Sequence, residues 1–284
     1  MMKLGISTCR KKNLPRYGND YYKLLKSCGY DSIDYGTDNT DDVLYTMSEQ
    51  ELARCLAEEK AQIEEAGMAV HQVHGPWRHP RDATPEDRAE RLEKMEKSIC
   101  MAEMLGAKNW IIHPIFPFGF DDAGTENAKY TWDLNLEFMH KLLAVAKAHQ
   151  MTICFENMPF LNFSLSRPED IFRFVKTMND DHFKICLDTG HVNVFEDLSI
   201  GDSVRLMGDE IRALHIHDNK CGYDLHLMPY FGTIDWSEFT KALKDINYQG
   251  VFSLETAPPA AVPAPVYEEL LKSLANIAKH IMKE

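Results

Sequence analysis

FKICLDT at positions 183–189 and IRALHIH at positions 211–217 are two short runs of the kind that forms buried β-strands, rich in β-branched and other apolar residues. Side chains of a strand alternate between its two faces. Leu187 and Leu214 therefore share one face, and Asp188 and His215 share the other. An acid and an imidazole near the ends of two buried strands point to a functional edge of a sheet.

Longer segments with helical spacing separate these runs from six others of the same character: KLGIST (3–8), DSIDYG (31–36), MAVHQVH (68–74), KNWIIH (108–113), MTICFEN (151–157) and GVFSLET (250–256). The helical segments at 48–67 and 84–106 each begin with a capping residue and end with glycine. This alternation predicts the α/β class and a single (β/α)8 TIM barrel, with residues 1–284 as one domain. The rival, an open doubly wound sheet, would usually carry a glycine-rich phosphate turn after its first strand, and STCRKKNLPRYG is not one.

The composition is that of an ordinary globular protein, with 44% hydrophobic and 26% charged residues, which excludes wholesale disorder. A formal net charge of −13 disfavours nucleic acid and anionic lipid as partners. No apolar run is long enough for a membrane span, and the N-terminal segment contains no signal-peptide core. The seven cysteines are scattered without a CxxC spacing, so neither a disulfide framework nor a thiolate zinc site is predicted. We therefore expect a cytoplasmic protein that binds neither nucleic acid nor membrane.

The alternation of side chains along the strands places four candidate metal ligands on one edge of the barrel. These are Glu156, Asp188, His215 and Glu255, one from each of the last four strands. Small residues stand two positions below each of them, as a crowded barrel interior requires. Three carboxylates brought together would repel one another, and a divalent cation removes that repulsion. Oxygen donors with one imidazole suit Mn²⁺, Mg²⁺, Co²⁺ or Zn²⁺ without choosing among them.

More polar side chains are expected at the same edge, as contacts to a bound substrate: His74, His113, His191, His217, Asp224, His226 and Trp77. A plainer interpretation of His74 and His113 is that they hydrogen-bond to the backbone of turns. Phe116 and Phe118 are candidates to cover an apolar face of the substrate, or to be buried against a neighbouring subunit.

The motifs at these positions resemble the xylose isomerase-like TIM-barrel superfamily, most closely its sugar phosphate isomerase/epimerase group, over essentially the whole chain. That group includes inosose dehydratases, ketose 3-epimerases and hydroxypyruvate isomerases. The motifs are HGPW (74–77), HP (113–114), FEN (155–157), LDTGH (187–191), HIHD (215–218), DLHLMPYFGTIDW (224–236) and LET (254–256). The resemblance assigns the metal ligands to Glu156, Asp188, His215 and Glu255. Tyr230 stands where glycine is common, and its side chain is expected to narrow the pocket.

The function that follows is a divalent-metal-dependent isomerase or epimerase, acting on a sugar or sugar phosphate through a metal-bound enediolate. Glu156 and Glu255 would transfer the protons, and His191 would stabilise developing charge. An inosose-type dehydratase would share the first step. A non-catalytic, metal-dependent sugar-binding protein is a further alternative. The resemblance also suggests a homodimer or homotetramer.

An abasic-site DNA repair enzyme of the endonuclease IV type, which holds three zinc ions, is the remaining alternative. Additional Zn²⁺ would then bind beside the first ion. His74 and His113 would join Glu156 at one site, and His191, Asp224 and His226 would form another. The acidic composition argues against a DNA substrate.

Overall fold

The computed structural model describes residues 2–8, 14–76 and 84–283. Eight parallel strands form one sheet. They are β1 (Leu4–Thr8), β2 (Ser32–Gly36), β3 (Ala69–His74), β4 (Asn109–Ile112), β5 (Thr152–Glu156), β6 (Phe183–Asp188), β7 (Ile211–His215) and β10 (Phe252–Leu254). Their order in the sheet is β10-β1-β2-β3-β4-β5-β6-β7. A bridge between Ile216 and Leu254 joins the two ends, so the sheet closes into the predicted barrel. We propose that the whole chain is a single domain built on this sheet.

Helices surround the strands, and their ends follow local sequence signals. Ser48 caps helix α2 (Glu49–Glu65) in a capping box with Glu51. Thr84 forms the same kind of box with Asp87 at the start of α3 (Pro85–Leu105). Gly106 ends α3 with a φ of 83°, a conformation that glycine adopts without steric cost. The helices are α1 (Tyr21–Cys28), α2 (Glu49–Glu65), α3 (Pro85–Leu105), α4 (Asn127–Ala148), α5 (Pro168–Met178), α6 (Thr189–Asn193), α7 (Ile200–Met207), α8 (Trp236–Asp245) and α9 (Ala264–Ile281).

The predicted alternation of strand side chains is confirmed. The residues assigned to the outer face are fully buried in the main apolar core: Phe155, Leu187, Leu214 and Leu254. Those assigned to the interior below the site are also buried, and Cys154, Cys186 and Ala213 form a separate inner cluster with Ile111. Small side chains thus fill the barrel beneath the ring of polar residues.

Two irregularities in the barrel affect which residues face each other. Between β2 and β3 the register shifts, so that Gln72 lies opposite Asp34 and His71 is the extra residue. A second shift between β6 and β7 leaves Arg212 unpaired and brings His215 opposite Asp188. Bulges of this kind re-aim side chains and are common next to active sites.

An antiparallel hairpin, β8 (Asp218–Lys220) and β9 (Tyr223–Leu227), lies outside the barrel sheet. The sequence did not predict it. It follows directly on β7 and carries Asp224 and His226 back over the barrel mouth. In the described part of the chain, no helix is both long and apolar enough to cross a membrane.

Candidate active site

The structure brings together the four residues that strand phase selected. Glu156, Asp188 and His215 are the last residues of β5, β6 and β7, and Glu255 directly follows β10. One donor atom from each lies within 4.8 Å of the others. The Nδ1 atom of His215 is 2.7 Å from Oε1 of Glu156 and 3.5 Å from Oε2 of Glu255. Three carboxylates and one imidazole therefore face a common point at the carboxyl end of the barrel.

Local hydrogen bonds hold Asp188 in this position. Its Oδ1 accepts a hydrogen bond of 2.7 Å from the backbone N–H of His191, which caps α6. The side-chain amide of Asn157 also bonds to both the backbone N–H and the carbonyl of Asp188. The FEN and LDTGH segments are thereby locked together, and the second carboxylate oxygen of Asp188 remains directed at the cluster.

The donor set fits a divalent cation. Oδ2 of Asp188 and Oε2 of Glu255 are buried, and neither accepts a hydrogen bond from any described residue. Buried carboxylate oxygens in that state are costly unless a positive charge satisfies them. Mn²⁺, Mg²⁺, Co²⁺ and Zn²⁺ all accept a mixture of oxygen and imidazole donors.

The two glutamates differ in their electrostatic surroundings. Burial raises the pKa of Glu255, the neighbouring His215 opposes this, and the charges of Glu156 and Asp188 add to it, giving about 7. Burial also acts to raise the pKa of Glu156, but His215 and His113 outweigh it and bring that pKa well below its usual value. Glu156 is therefore a fixed carboxylate, whereas Glu255 is close to releasing its proton at neutral pH.

His215 has a second carboxylate partner that the sequence did not indicate. Its Nε2 lies 2.8 Å from Oδ2 of Asp34, a fully buried residue of β2. Burial acts to raise the pKa of Asp34, but its hydrogen bond with His215 brings the pKa below its usual value. The segment DSIDYG carries no local signal for this contact, because the two residues are 181 positions apart.

Two further groups of potential metal ligands flank the central one. The first joins His74 and His113 to Glu156, whose Oε2 is 3.0 Å from Nε2 of His113 and 3.7 Å from Nε2 of His74. A second group consists of His191, His217, Asp224 and His226.

Asp224 is the centre of the second group. Its carboxylate lies 3.5 Å from Nε2 of His191, 3.4 Å from Nε2 of His226 and 3.8 Å from Nε2 of His217. Burial opposes protonation of His191, but Asp188 and Asp224 raise its pKa to about 10. Burial likewise opposes protonation of His226, and Asp224 raises its pKa to about 9. Without an added cation, two imidazolium groups thus flank this acid at neutral pH.

A cavity of about 580 Å³ opens directly above these groups. Its size suits a small organic molecule. Apolar residues that follow β5, namely Met158, Pro159 and Phe160, form one side of it. The other described lining residues are polar, glycine or titratable: Ser7, Thr8, Gly36, Asp38, His74, His113, His191, Asp224, His226 and Glu255. No lysine or arginine occurs in the lining formed by the described residues.

Most of the predicted substrate contacts therefore border the cavity. His217 does not: it is fully buried behind the lining, with its Nε2 3.1 Å from Oδ1 of Asp188. Trp77 falls in residues 77–83, outside the part of the chain that the structure describes. Phe116 and Phe118 are not lining residues, because Phe116 packs among Phe120 and neighbouring rings and Phe118 packs on Tyr130.

Tyr230 adopts a φ of 71°, in the left-handed region that favours glycine. Glycine, the residue that the resemblance implies at this position, would adopt this backbone conformation without steric cost. The side chain is half exposed and does not line the cavity, so the expected narrowing of the pocket is not found. The Tyr230 backbone N–H instead bonds to Oδ2 of Asp218, which fixes the loop after β9.

Residues 22–277 match the model of the xylose isomerase-like TIM barrel family, and the chain belongs to that family. It is 28% identical over 202 residues to a D-psicose 3-epimerase from Ruminiclostridium cellulolyticum. The match covers 66% of this chain and 64% of that enzyme, slightly under two thirds of its length.

Solved structures share the fold at lower identity. A D-psicose 3-epimerase crystallised in the presence of D-fructose superposes with a TM-score of 0.77 at 19% identity, over 100% of both chains. The IOLI protein, crystallised with a zinc atom, gives a TM-score of 0.72 at 18% identity, over 99% of this chain and 96% of that one. At these identities the structural likeness establishes the shared architecture alone.

Proposed function

We propose that this protein is a divalent-metal-dependent isomerase or epimerase that acts on a ketose or related hydroxy-ketone sugar. The observation that carries the proposal is the convergence of Glu156, Asp188, His215 and Glu255 on one point below a cavity of sugar size. The epimerase relatives, the family membership and the zinc-containing structural relative support it. The four residues would hold the ion, which would polarise the substrate carbonyl and acidify the adjacent C–H bond.

Glu255 is the better placed of the two glutamates to take the first proton. It lines the cavity and has a buried oxygen that accepts no hydrogen bond from the described residues. Removal of the proton gives an enediolate. In an epimerisation, Glu156 would first receive a proton, from solvent or from the imidazole of His113 at 3.0 Å, and would then give it to the carbon from its own side. Glu255 would release the proton that it took to solvent.

His191 would stabilise the negative charge that develops on the substrate oxygen. Its Nδ1 is 2.7 Å from the carbonyl oxygen of Asn157, so it donates that proton and the ring is fixed. With a pKa of about 10 the ring also carries a proton on Nε2, which faces the carboxylate of Asp224, another residue of the cavity lining, at 3.5 Å. Met158, Pro159 and Phe160 would pack on the apolar face of the sugar and exclude water, the role that the sequence suggested for Phe116 and Phe118.

Deuterium exchange tests the proposal directly. The protein is incubated with Mn²⁺ and a panel of ketoses in deuterated water, and exchange at the carbon next to the carbonyl is followed by NMR. We expect exchange with at least one ketose, and its loss in Glu255→Gln and Glu156→Gln. The exposed Glu58→Gln substitution on α2 is the matched control and should leave exchange unchanged. Full exchange in both active-site variants would reject the base roles, and a bound but unexchanged sugar would favour a binding protein.

The same experiment distinguishes a dehydratase from an isomerase or epimerase, because loss of a hydroxyl from the enediolate gives a product lighter by one water.

The two flanking groups of ligands are the observation that favours the DNA repair alternative, since they would accommodate additional Zn²⁺. An abasic-site duplex that remains intact in the presence of Zn²⁺ would eliminate it. Whether the chain forms a homodimer or homotetramer is measured by light scattering.

A further inference from the structure

The imidazole of His215 lies between two carboxylates from different parts of the barrel. Nδ1 faces Glu156 at 2.7 Å, and Nε2 faces Asp34 at 2.8 Å. We propose that Asp34 is a positioning residue that sets the tautomer and the ring orientation of His215 as a metal ligand. The inference rests on the metal centre proposed above. It assigns a role to a residue of the first half of the chain that touches neither substrate nor ion.

The chemistry of the contact leaves one productive arrangement. Both ring nitrogens face carboxylate oxygens, which only accept hydrogen bonds. A cation held by Glu156 and Glu255 takes the lone pair of Nδ1, so the proton of the neutral imidazole stays on Nε2, where Oδ2 of Asp34 accepts it. Nδ1 then presents its lone pair to the side where Glu156 and Glu255 lie. The other tautomer would direct the N–H group of Nδ1 at the cation. It would also leave the lone pair of Nε2 facing a lone pair of Oδ2 of Asp34, which is unfavourable. Carboxylate partners of metal-bound histidines act in this way in other proteins.

The barrel is built to hold Asp34 in place. Its side chain is fully buried, and the same Oδ2 atom accepts a second hydrogen bond of 3.0 Å from Nε2 of Gln72. Gln72 reaches this position only because the bulge at His71 shifts β3 by one residue relative to β2. The ring of His74 stacks on that of His215 at a centroid distance of 5.5 Å and an angle of 4°. The contacts at Nδ1 and Nε2 thus fix the direction of the ring nitrogens, and the stacked ring of His74 restricts tilting of the imidazole plane.

The variants Asp34→Leu and Asp34→Asn distinguish a role of Asp34 in orienting His215 from a role in filling space in the barrel. Leucine removes the acceptor, whereas the carbonyl oxygen of asparagine can replace Oδ2 and accept from both His215 and Gln72. Asp42→Ala is the matched control: it removes another buried carboxylate, which caps the short helix at Val43–Tyr45 away from the site. Circular dichroism verifies the fold of each variant. The probe is Zn²⁺ alone, with its dissociation constant measured by competition against a chromogenic chelator.

The second readout is the ¹⁵N NMR spectrum of histidine-labelled protein saturated with Zn²⁺, in which the His215 signals are assigned by comparison with His215→Gln. In the unsubstituted protein we expect a protonated Nε2 and a zinc-bound Nδ1. Asp34→Leu should weaken Zn²⁺ binding by about 10- to 100-fold and lose the Nε2–H signal. Asp34→Asn should retain that signal and most of the affinity, and Asp42→Ala should match the unsubstituted protein.

Several results would overturn the inference. One is a folded Asp34→Leu with unchanged affinity and tautomer, and another is an equal loss of affinity in the leucine and asparagine variants. If the leucine variant does not fold, a proton on Nδ1 of His215 in the zinc-loaded, unsubstituted protein is decisive against it. Failure of the unsubstituted protein to bind Zn²⁺ would instead refute the proposed metal centre, and this inference with it.

Discussion

Replacing Glu255 by glutamine should stabilise the metal-free protein at alkaline pH while it removes the metal site. Burial, with the charges of the neighbouring carboxylates Glu156 and Asp188, raises the pKa of Glu255 from 4.5 to about 7. That displacement corresponds to about 3 kcal/mol of unfavourable free energy for the charged form. Because the pKa is raised on folding, the penalty is absent below pH 4.5, grows between 4.5 and 7, and is complete above 7. Glutamine carries no charge and can donate hydrogen bonds to Glu156 and Asp188.

The assay is thermal unfolding of chelator-treated protein at pH 8 and pH 5. A chain of this length has an unfolding entropy of about 0.6 kcal/mol per kelvin, so Glu255→Gln should raise the melting temperature by about 5 °C at pH 8. At pH 5 the gain should fall to about a quarter of that value. Added Mn²⁺ should stabilise the unsubstituted protein and not the variant. Glu58→Gln serves as the control at both pH values. Equal melting temperatures at pH 8, or the same gain at both pH values, would refute the electrostatic reasoning.

Three further predictions concern the site and its support. Because Glu255 must lose its proton to bind a cation, the Mn²⁺ affinity should rise up to about tenfold per pH unit below pH 7. A flat calorimetric profile between pH 5.5 and 7 would contradict this. Asp218→Asn should lower the free energy of unfolding by about 3 kcal/mol in urea denaturation. The reason is that Asp218 accepts hydrogen bonds from the backbone of Tyr230 and Ile234 and from the Trp236 indole. The surface substitution Asp209→Asn is the control and should leave the free energy of unfolding unchanged. Gly190→Ala would place a Cβ against the ring of His217, closer than van der Waals contact allows, so we expect a lower kcat and a lower melting temperature. Unchanged values of both would show that the ring has room to move.

The barrel and the central cluster were predictable from the sequence because both follow from local periodicity. Strand alternation alone separates Leu187 from Asp188 and Leu214 from His215, and the carboxyl ends of parallel strands meet at one edge. The helix caps at Ser48 and Thr84 are equally local, since their partners lie three residues away. These features need no knowledge of which distant segments come together.

The features that escaped prediction depend on contacts between remote parts of the chain. Asp34 looks like any acid in a short strand until β2 is placed across the barrel from β7. The bulge at His71 is equally invisible, because it is defined only by the pairing of two strands. Phe116 was a reasonable cavity residue from its place in a loop after a strand. Its burial among other aromatic rings left Met158 and Phe160 to line the pocket instead.

The placement of donors along the chain has an evolutionary consequence. All four central ligands fall between residues 156 and 255, whereas Ser7, Gly36, Asp38, His74 and His113 of the cavity wall precede them. Mutations in the early strands can therefore reshape what the pocket accepts while the half of the chain that carries the four proposed ligands stays intact. Asp34 is the exception, because it lies in the first half of the chain and contacts His215 in the second half. A substitution at Asp34 would therefore disturb the site whatever substrate the pocket accepts.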